Sequence, residues 1–369
     1  GNAAHLILSE APAKTHPVSN HTLCPSIHLF PIAGQNQQNL LASLNALEQT
    51  IQDGAVLAKT ARQYFDTSRE NSAAPFVLAL VGGTRDEIHR QIRDARSGIA
   101  RAFETGETWA TPLGSYFTAN RQKGKVAFVY PGSANAYVGM GRDLWQLFPQ
   151  AFDRISHMSK KIGDRVCEHQ LSPRSLEKLS DKQLKNIEAE LAEDAIAMFQ
   201  TGVGFSVLNT LIIRDCFRVN PHMTFGYSLG ESSMMFALGA WQEPDTVAEA
   251  MASSTVFRDA LFGPKTAARK AWGLSLTNDT EFWNTYALRA DVADVVTCLK
   301  NENRVYLTMI NTPKEVIIAG EIESCQRVIE QLKCKAFKVP FNGVLHCNTV
   351  DNLLYDTFVN LHTMPVHRV

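Results

Sequence analysis

His222-Met223-Thr224-Phe225-Gly226-Tyr227-Ser228-Leu229-Gly230, followed by the small and apolar helix formers of Ser232 to Leu238, sets out a strand, a sharp turn and a helix. Gly226 to Gly230 matches G-x-S-x-G, the nucleophile elbow. Glycines two residues either side of the serine let the backbone turn tightly and lift the hydroxyl between strand end and helix start. The helix N-terminus and the amide of Leu229 then face the oxygen on which negative charge develops when a carbonyl is attacked. Five residues alone also arise by chance in a plain Gly-rich turn. The flanking strand and helix favour the nucleophile.

A serine hydroxyl needs a proton acceptor. Of the eleven histidines, most read as solvated or satisfied bystanders, and His346 is the preferred candidate. It closes Val339-Pro340-Phe341-Asn342-Gly343-Val344-Leu345-His346, a Gly-containing loop leaving a strand, which can deliver an imidazole to a cleft.

Between these two points, residues 271–340 alternate in a distinct pattern. Strand Ala271–Leu276, helix Asp291–Lys300, strands Arg304–Ile310 and Glu315–Ala319, helix Ile322–Lys333 and strand Ala336–Val339 make a βαββαβ order. That is the ferredoxin-like arrangement, a sheet with both helices on one face. Upstream, Val126–Tyr130 reads as an apolar strand running into Pro131-Gly132, Ser175 to Glu193 as a charged amphipathic segment, and Phe205 to Phe217 as an apolar helix. Gly202-Val203-Gly204 lacks a third glycine and a preceding strand, so it is no dinucleotide fingerprint. Lys160-Lys161 and Lys178 to Lys185 read as solvated faces.

Toward the N-terminus, residues 1–9 read as a strand, Pro12 to Pro25 as a connector, Ile27 to Pro31 as a strand and Gln37 to Ala58 as a helix. Phe76 to Val81 is a buried-type strand. Thr84 and Glu87 then have the spacing of a capping box for a helix running toward Phe103. Residues 27–120 thus form a small α/β unit, with Gly106 to Gly124 as a further connector.

Composition narrows the function. Among 369 residues, 36 basic and 37 acidic side chains leave a net charge of −1, which favours neither nucleic acid nor an anionic membrane as partner. Seven scattered cysteines (24, 167, 216, 298, 325, 334, 347) without a CxxC pair read as reduced thiols of a cytoplasmic protein, with no disulfide frame and no metal site. No signal peptide and no uninterrupted apolar run long enough to cross a bilayer is evident. The chain opens without an initiator Met, directly in a strand-like stretch, as a piece cut from something longer would.

Four segments, in order, carry a resemblance. Tyr130-Pro131-Gly132 followed by Gly139-Met140-Gly141 is similar to a Phe-Pro-Gly-Gln-Gly…Gly-Met opening loop. Phe199-Gln200 falls where an active-site glutamine is expected, and Gly226-Tyr227-Ser228-Leu229-Gly230-Glu231 is similar to Gly-His-Ser-Leu-Gly-Glu. Asn311-Thr312-Pro313…Val316-Ile317-Ile318-Ala319-Gly320 is similar to an Asn-Ser-Pro…Val-Ile-Ala-Gly hairpin. His346 lies 118 residues (346 − 228) after Ser228. Together these make the chain from Lys125 onward resemble the malonyl/acyl-CoA:carrier-protein acyltransferases of fatty acid and polyketide synthases. Gly-Tyr-Ser-Leu-Gly-Glu-Ser-Ser looks most like the B-subunit acyltransferases of bacterial polyunsaturated fatty acid synthases. Gly1 to Ser9 with Glu10-Ala11-Pro12 resembles the end of a ketosynthase domain, which makes His5 structural.

The resemblance implies an α/β fold: a small linker domain, then an α/β-hydrolase-like core with an inserted ferredoxin-like subdomain. Its boundaries are residues 1–12 for the ketosynthase end, 13–124 for the linker and 125–369 for the transferase. Within the last, 125–268 and 341–369 are core and 269–340 the insert. It further implies Ser228 and His346 as catalytic residues, the backbone amides of Leu229 and Ser133 as oxyanion hole, and Gln200, Tyr227, Ser253 and Leu345 along the acyl pocket. The donor would be a coenzyme A thioester (or an acyl carrier) and the acceptor the phosphopantetheine thiol of an acyl carrier protein, with no bound cofactor. Other synthase domains would be partners.

The departures are informative. Malonyl-specific members hold the free carboxylate with an arginine about 25 residues after the serine; ungapped counting finds Ser253 there, and Arg258 lies more than a helical turn beyond. A buried carboxylate without a guanidinium is poorly compensated, so an uncharged, longer acyl group fits better unless Arg258 turns inward. The opening-loop glutamine is Ser133, the residue before the nucleophile is Tyr227, and Leu345 precedes His346; the last two also suit plain core packing. Only 23 residues (369 − 346) follow His346, fewer than the family carries, so the hydrolase-like core reads as truncated. Ping-pong acyl transfer is the leading expectation. Thioester hydrolysis by the same pair and a non-catalytic docking module stand as alternatives.

Overall fold

The computed structural model describes residues 26–120, 124–133, 135–175, 177–276, 281–349 and 352–367. The strand expected at residues 1–9, His5 and the ketosynthase-like end at 1–12 lie outside the described residues. The chain divides into two compact units, Gly1–Gly124 and Lys125–Val369.

In the first unit, β1 (His28–Gly34), α1 (Gln37–Gln52), α2 (Leu57–Glu70), β2 (Phe76–Gly82), α3 (Arg85–Thr105), β3 (Trp109–Ala110) and β4 (Tyr116–Phe117) follow in order. The four strands form one antiparallel sheet ordered β1-β2-β4-β3. Leu40, Leu44, Leu47 and Ile51 recur at helical spacing on α1 and are buried, against Phe30, Leu78 and Leu80 of the sheet. Thr84 and Glu87 form the reciprocal capping box at the start of α3.

Two expectations change. The helical run from Gln37 ends at Gln52, and a second helix begins at Leu57. Gly106 to Gly124 is not merely connector: a turn closed by Thr111 N–H to Ser115 O (2.9 Å) pairs Trp109 with Phe117. The Phe117 ring is wholly buried, 5.6 Å from Phe103.

The second unit opens with β5 (Ala127–Tyr130) and four short helices: α4 (Arg142–Leu147), α5 (Pro149–Met158), α6 (Ile162–Arg165) and α7 (Glu168–Leu171). Next come α8 (Asp181–Glu193), α9 (Ala195–Leu211), β6 (Met223–Gly226), α10 (Leu229–Leu238), α11 (Pro244–Ser253) and α12 (Thr266–Ala271). β5 and β6 pair in parallel from Ala127↔Met223 to Tyr130↔Gly226. α9 runs on through a π-helical segment (Ile212–Cys216), and Ala195–Cys216 is, against expectation, long and apolar enough to cross a membrane. Most of it is buried inside the protein, and Phe199, Phe205, Leu208 and Leu211 belong to the largest hydrophobic cluster. A core helix meets the same test as a span.

The insert comprises β7 (Trp283–Arg289), α13 (Val292–Leu299), β8 (Val305–Thr312), β9 (Glu315–Glu321), α14 (Ile322–Leu332) and β10 (Lys335–Lys338). The sheet order is β10-β7-β9-β8, antiparallel throughout, with α13 and α14 packed together on it. This is the ferredoxin-like arrangement. Its first strand is not at Ala271–Leu276, where α12 ends, but at Trp283–Arg289. Asn284 and Thr285 are buried within that strand, so its apolar signal is weak although both faces are covered. A last helix, α15 (Asn352–His362), returns to the core.

Removing the Phe117 ring leaves a cavity beneath the sheet. Phe117→Ala should cost about 3–5 kcal/mol in urea unfolding of the first unit; a change under ~1 kcal/mol would mean residues 107–120 are connector after all.

Candidate active site

The elbow is forced by contact. β6 ends at Gly226, and a Cβ on Gly226 would sit 2.1 Å from the Gly230 carbonyl carbon. A Cβ on Gly230 would sit 2.1 Å from the carbonyl oxygen of Tyr130, at the end of β5. Only glycine allows the turn to close this tightly against the neighbouring strand. Tyr227 N–H donates to Tyr130 O (3.0 Å), and Glu231 N–H to Ser228 O (3.0 Å), fixing the bend from both sides. Ser228 is left at φ 53°, ψ −119°, a sparsely populated backbone region that persists only where the surroundings impose it.

His346 comes from the loop after β10. Val344, fully buried, donates its N–H to Leu261 O (2.8 Å), which anchors the loop two residues before the ring. His346 itself has φ 57°. Its Nε2 lies 3.0 Å from Ser228 Oγ. With the hydroxyl as donor, Nε2 must be the unprotonated nitrogen and Nδ1 the protonated one.

Both groups stand in the wall of a cavity of about 1220 Å³. His346 is an exposed residue that opens onto it, partly desolvated by the protein around its ring. That desolvation lowers its pKa below the ordinary histidine value, while the negative Glu231 pulls the other way. The lower pKa keeps the imidazole neutral at pH 7, the form that accepts a proton. Glu231 also lines the cavity, one helical turn beyond Ser228. Ser228 stands at the N-cap position of α10 without a side-chain capping bond, and the amide of Leu229 is the first of the helix's orphan donors.

Of the residues expected here, Ser228, His346, Leu229, Ser133 and Leu345 line the one cavity. Gln200, Tyr227 and Ser253, expected in the acyl pocket, do not. Gln200 faces away on α9 and its Oε1 accepts from Cys167 Sγ (3.4 Å). Ser253 ends α11 with its hydroxyl on Ala250 O (3.0 Å); Met251, two residues earlier and on the opposite side of the helix, is the one that faces in. Tyr227 is 43% exposed, and its hydroxyl reaches Asn311 Oδ1 (2.7 Å) and Met309 Sδ (2.6 Å), both on β8. Arg258 is exposed and held by Asp259 through two hydrogen bonds (3.0 and 2.8 Å), away from the cavity wall.

Sequence reasoning did not assign Glu231 a role, although its spacing from Ser228 was the available signal. Tyr355 and Phe358 of α15 and Tyr306 of β8 also line the cavity, brought in by tertiary packing alone. Among the described residues, no group of His, Cys, Asp and Glu side chains could hold a metal ion.

Known proteins agree with this fold. The acyltransferase domain of SpnD, solved with 2-(pent-4-yn-1-yl)malonyl, matches with TM-score 0.59 and 15% identity over 92% of this chain and 71% of that one. The acyltransferase domain of ZmaA matches with TM-score 0.59 and 13% identity, covering 94% and 71%. In sequence, one of the subunits of a polyunsaturated fatty acid synthase from a Thraustochytrium species is 26% identical over 305 residues, 80% of this chain. Polyketide synthase GfsE of Streptomyces halstedii is 22% identical over 98% of it. The chain spans only 14% and 9% of those two proteins. No family model matches it. The fold is that of synthase acyltransferase domains, a hydrolase-like α/β core carrying a ferredoxin-like subdomain, and the resemblance to acyltransferases of fatty acid and polyketide synthases stands.

The base form of His346 is lost only as pH falls through its lowered pKa. Labelling of Ser228 by a sulfonyl fluoride should therefore hold its rate to below pH ~6.5, the ordinary histidine value, and Glu231→Gln should push the acid limb lower still. A limb above that value, or an upward shift in the variant, contradicts the assignment.

Proposed function

We propose that this chain is a serine acyltransferase that moves an acyl group from a thioester to the phosphopantetheine thiol of an acyl carrier protein. The single observation that carries the proposal is the 3.0 Å Ser228–His346 pair set in the wall of an apolar cavity at a strained elbow. Ser228 Oγ attacks the thioester carbonyl as its proton passes to His346 Nε2. The amides of Leu229 and Ser133 receive the oxyanion. The C–S bond then breaks, and the leaving thiolate takes the proton back from the imidazolium. The carrier thiol repeats the cycle in reverse, with His346 again as base, and regenerates the serine.

The donor is an uncharged acyl thioester, coenzyme A or carrier-bound, and not malonyl. Among the described residues lining the cavity there is no arginine or lysine, and Arg258 is committed to Asp259 outside it. A carboxylate entering there would lose water without gaining a guanidinium or ammonium partner. No resident cofactor takes part in these steps. Residues 1–12 and 13–124 are proposed as the tail of a ketosynthase and its linker, within a multidomain polyunsaturated fatty acid or polyketide synthase of the cytoplasm. The free state of all six described cysteines supports that compartment.

Incubation with a radiolabelled acyl-CoA should give an acyl-enzyme that Ser228→Ala lacks. His346→Ala should slow its formation by about 10²–10⁴-fold. Label should pass to added carrier protein faster than to buffer. Release to water at the same rate without carrier would make the chain a thioesterase, and full synthase activity with Ser228→Ala would leave only docking.

A further inference from the structure

The cavity is larger than an elbow serine and a small acyl group require. At about 1220 Å³ it exceeds the roughly 300–1,000 Å³ that holds most drug-sized ligands. Its walls are of two kinds. One is helical: Met198 and Phe199 from α9, Met234 from α10, Met251 from α11, Phe257 from the π-helical segment Val256–Leu261 and Phe358 from α15. All six belong to the largest hydrophobic cluster or pack against it. The other runs along β8 and the His346 loop, where Tyr306 and Asn348 stand among Val305, Leu307 and Leu345, while Glu231 of α10 and His362 of α15 add polar groups to the helical side.

Resting on the acyl-transfer reading, we infer that the acyl group is a long unbranched hydrocarbon chain, longer than hexanoyl, laid along the helical wall. The thioester lies at Ser228, and the pantetheine arm leads out past Tyr306 and Asn348. Thioether and aromatic side chains suit such an occupant, since methionine adapts its shape to an irregular, flexible partner. A two- or three-carbon acyl group would leave most of this wall facing water. Each further methylene covered by it strengthens transition-state binding roughly fourfold until the wall is full. The same wall carries no arginine or lysine, only His362 packed against Phe257 and Phe358, and so gives a chain ending in a carboxylate no guanidinium or ammonium partner.

The test compares acetyl-, hexanoyl-, palmitoyl- and malonyl-CoA, each below its micelle concentration, with intact-mass readout of Ser228 acylation and Ser228→Ala as blank. Palmitoyl loading should exceed hexanoyl at least tenfold, with acetyl and malonyl at trace level. Acetyl or malonyl loading equal to palmitoyl overturns the inference and leaves the transferase standing. No acylation from any donor overturns both. Met251→Trp, which narrows the helical wall, should lower the palmitoyl-to-hexanoyl ratio about tenfold. An unaltered ratio in that variant would put the chain somewhere else and overturn the inference as well.

Discussion

Everything at the site depends on how closely the serine turn packs against the end of β5. The Tyr130 carbonyl occupies the space a side chain on Gly230 would need, and the Gly230 backbone occupies the space one on Gly226 would need. Two parallel strands of four residues each carry this contact. It holds Ser228 in a backbone conformation it would not adopt alone, and so fixes where the hydroxyl, the Leu229 amide and the α10 N-terminus lie relative to one another. The strain is the cost of that pre-arrangement.

The second requirement is that a histidine 118 residues away meets that hydroxyl. The insert makes this a matter of topology. β10 is an edge strand paired with β7, and the chain leaving it at Lys338 reaches Ser228 through His346. Val344 pins the path to Leu261. On the other side, Tyr227 reaches Asn311 on β8, so the residue preceding Ser228 ties the core to the insert. Elbow and base are thereby referred to the same small sheet. Tyr227 is better understood as this tie than as a wall of the acyl pocket.

Local chemistry was legible in the sequence, and tertiary placement was not. The elbow, the capping box at Thr84 and Glu87, and the insert elements after its first strand can be read directly, because each is specified by neighbours in sequence. The first insert strand escaped because Asn284 and Thr285 are polar yet buried. β3 and β4 escaped because two-residue strands have no periodicity to detect. Ser253 was placed by counting from the serine, but the side chain that faces the cavity from α11 is Met251. Gln200 sits on the correct helix and the wrong face. Periodicity shows that a helix is buried, and only packing shows which buried face meets a void.

One physical condition connects the base to the substrate. Burial lowers the His346 pKa because the surrounding protein solvates charge poorly, and Glu231 offsets this only in part. The described lining holds the Glu231 carboxylate and two histidines but no arginine or lysine, so a second carboxylate entering it finds no guanidinium or ammonium partner. In the proposed reaction the tetrahedral oxyanion forms beside helix-terminal amides already in place. On that proposal, negative charge is accommodated beside the Leu229 amide, and Met198, Phe199, Met234, Met251, Phe257 and Phe358 offer hydrocarbon contact elsewhere. In the acyl-transfer proposal, a neutral His346 and an uncharged acyl chain are both matched to this apolar lining.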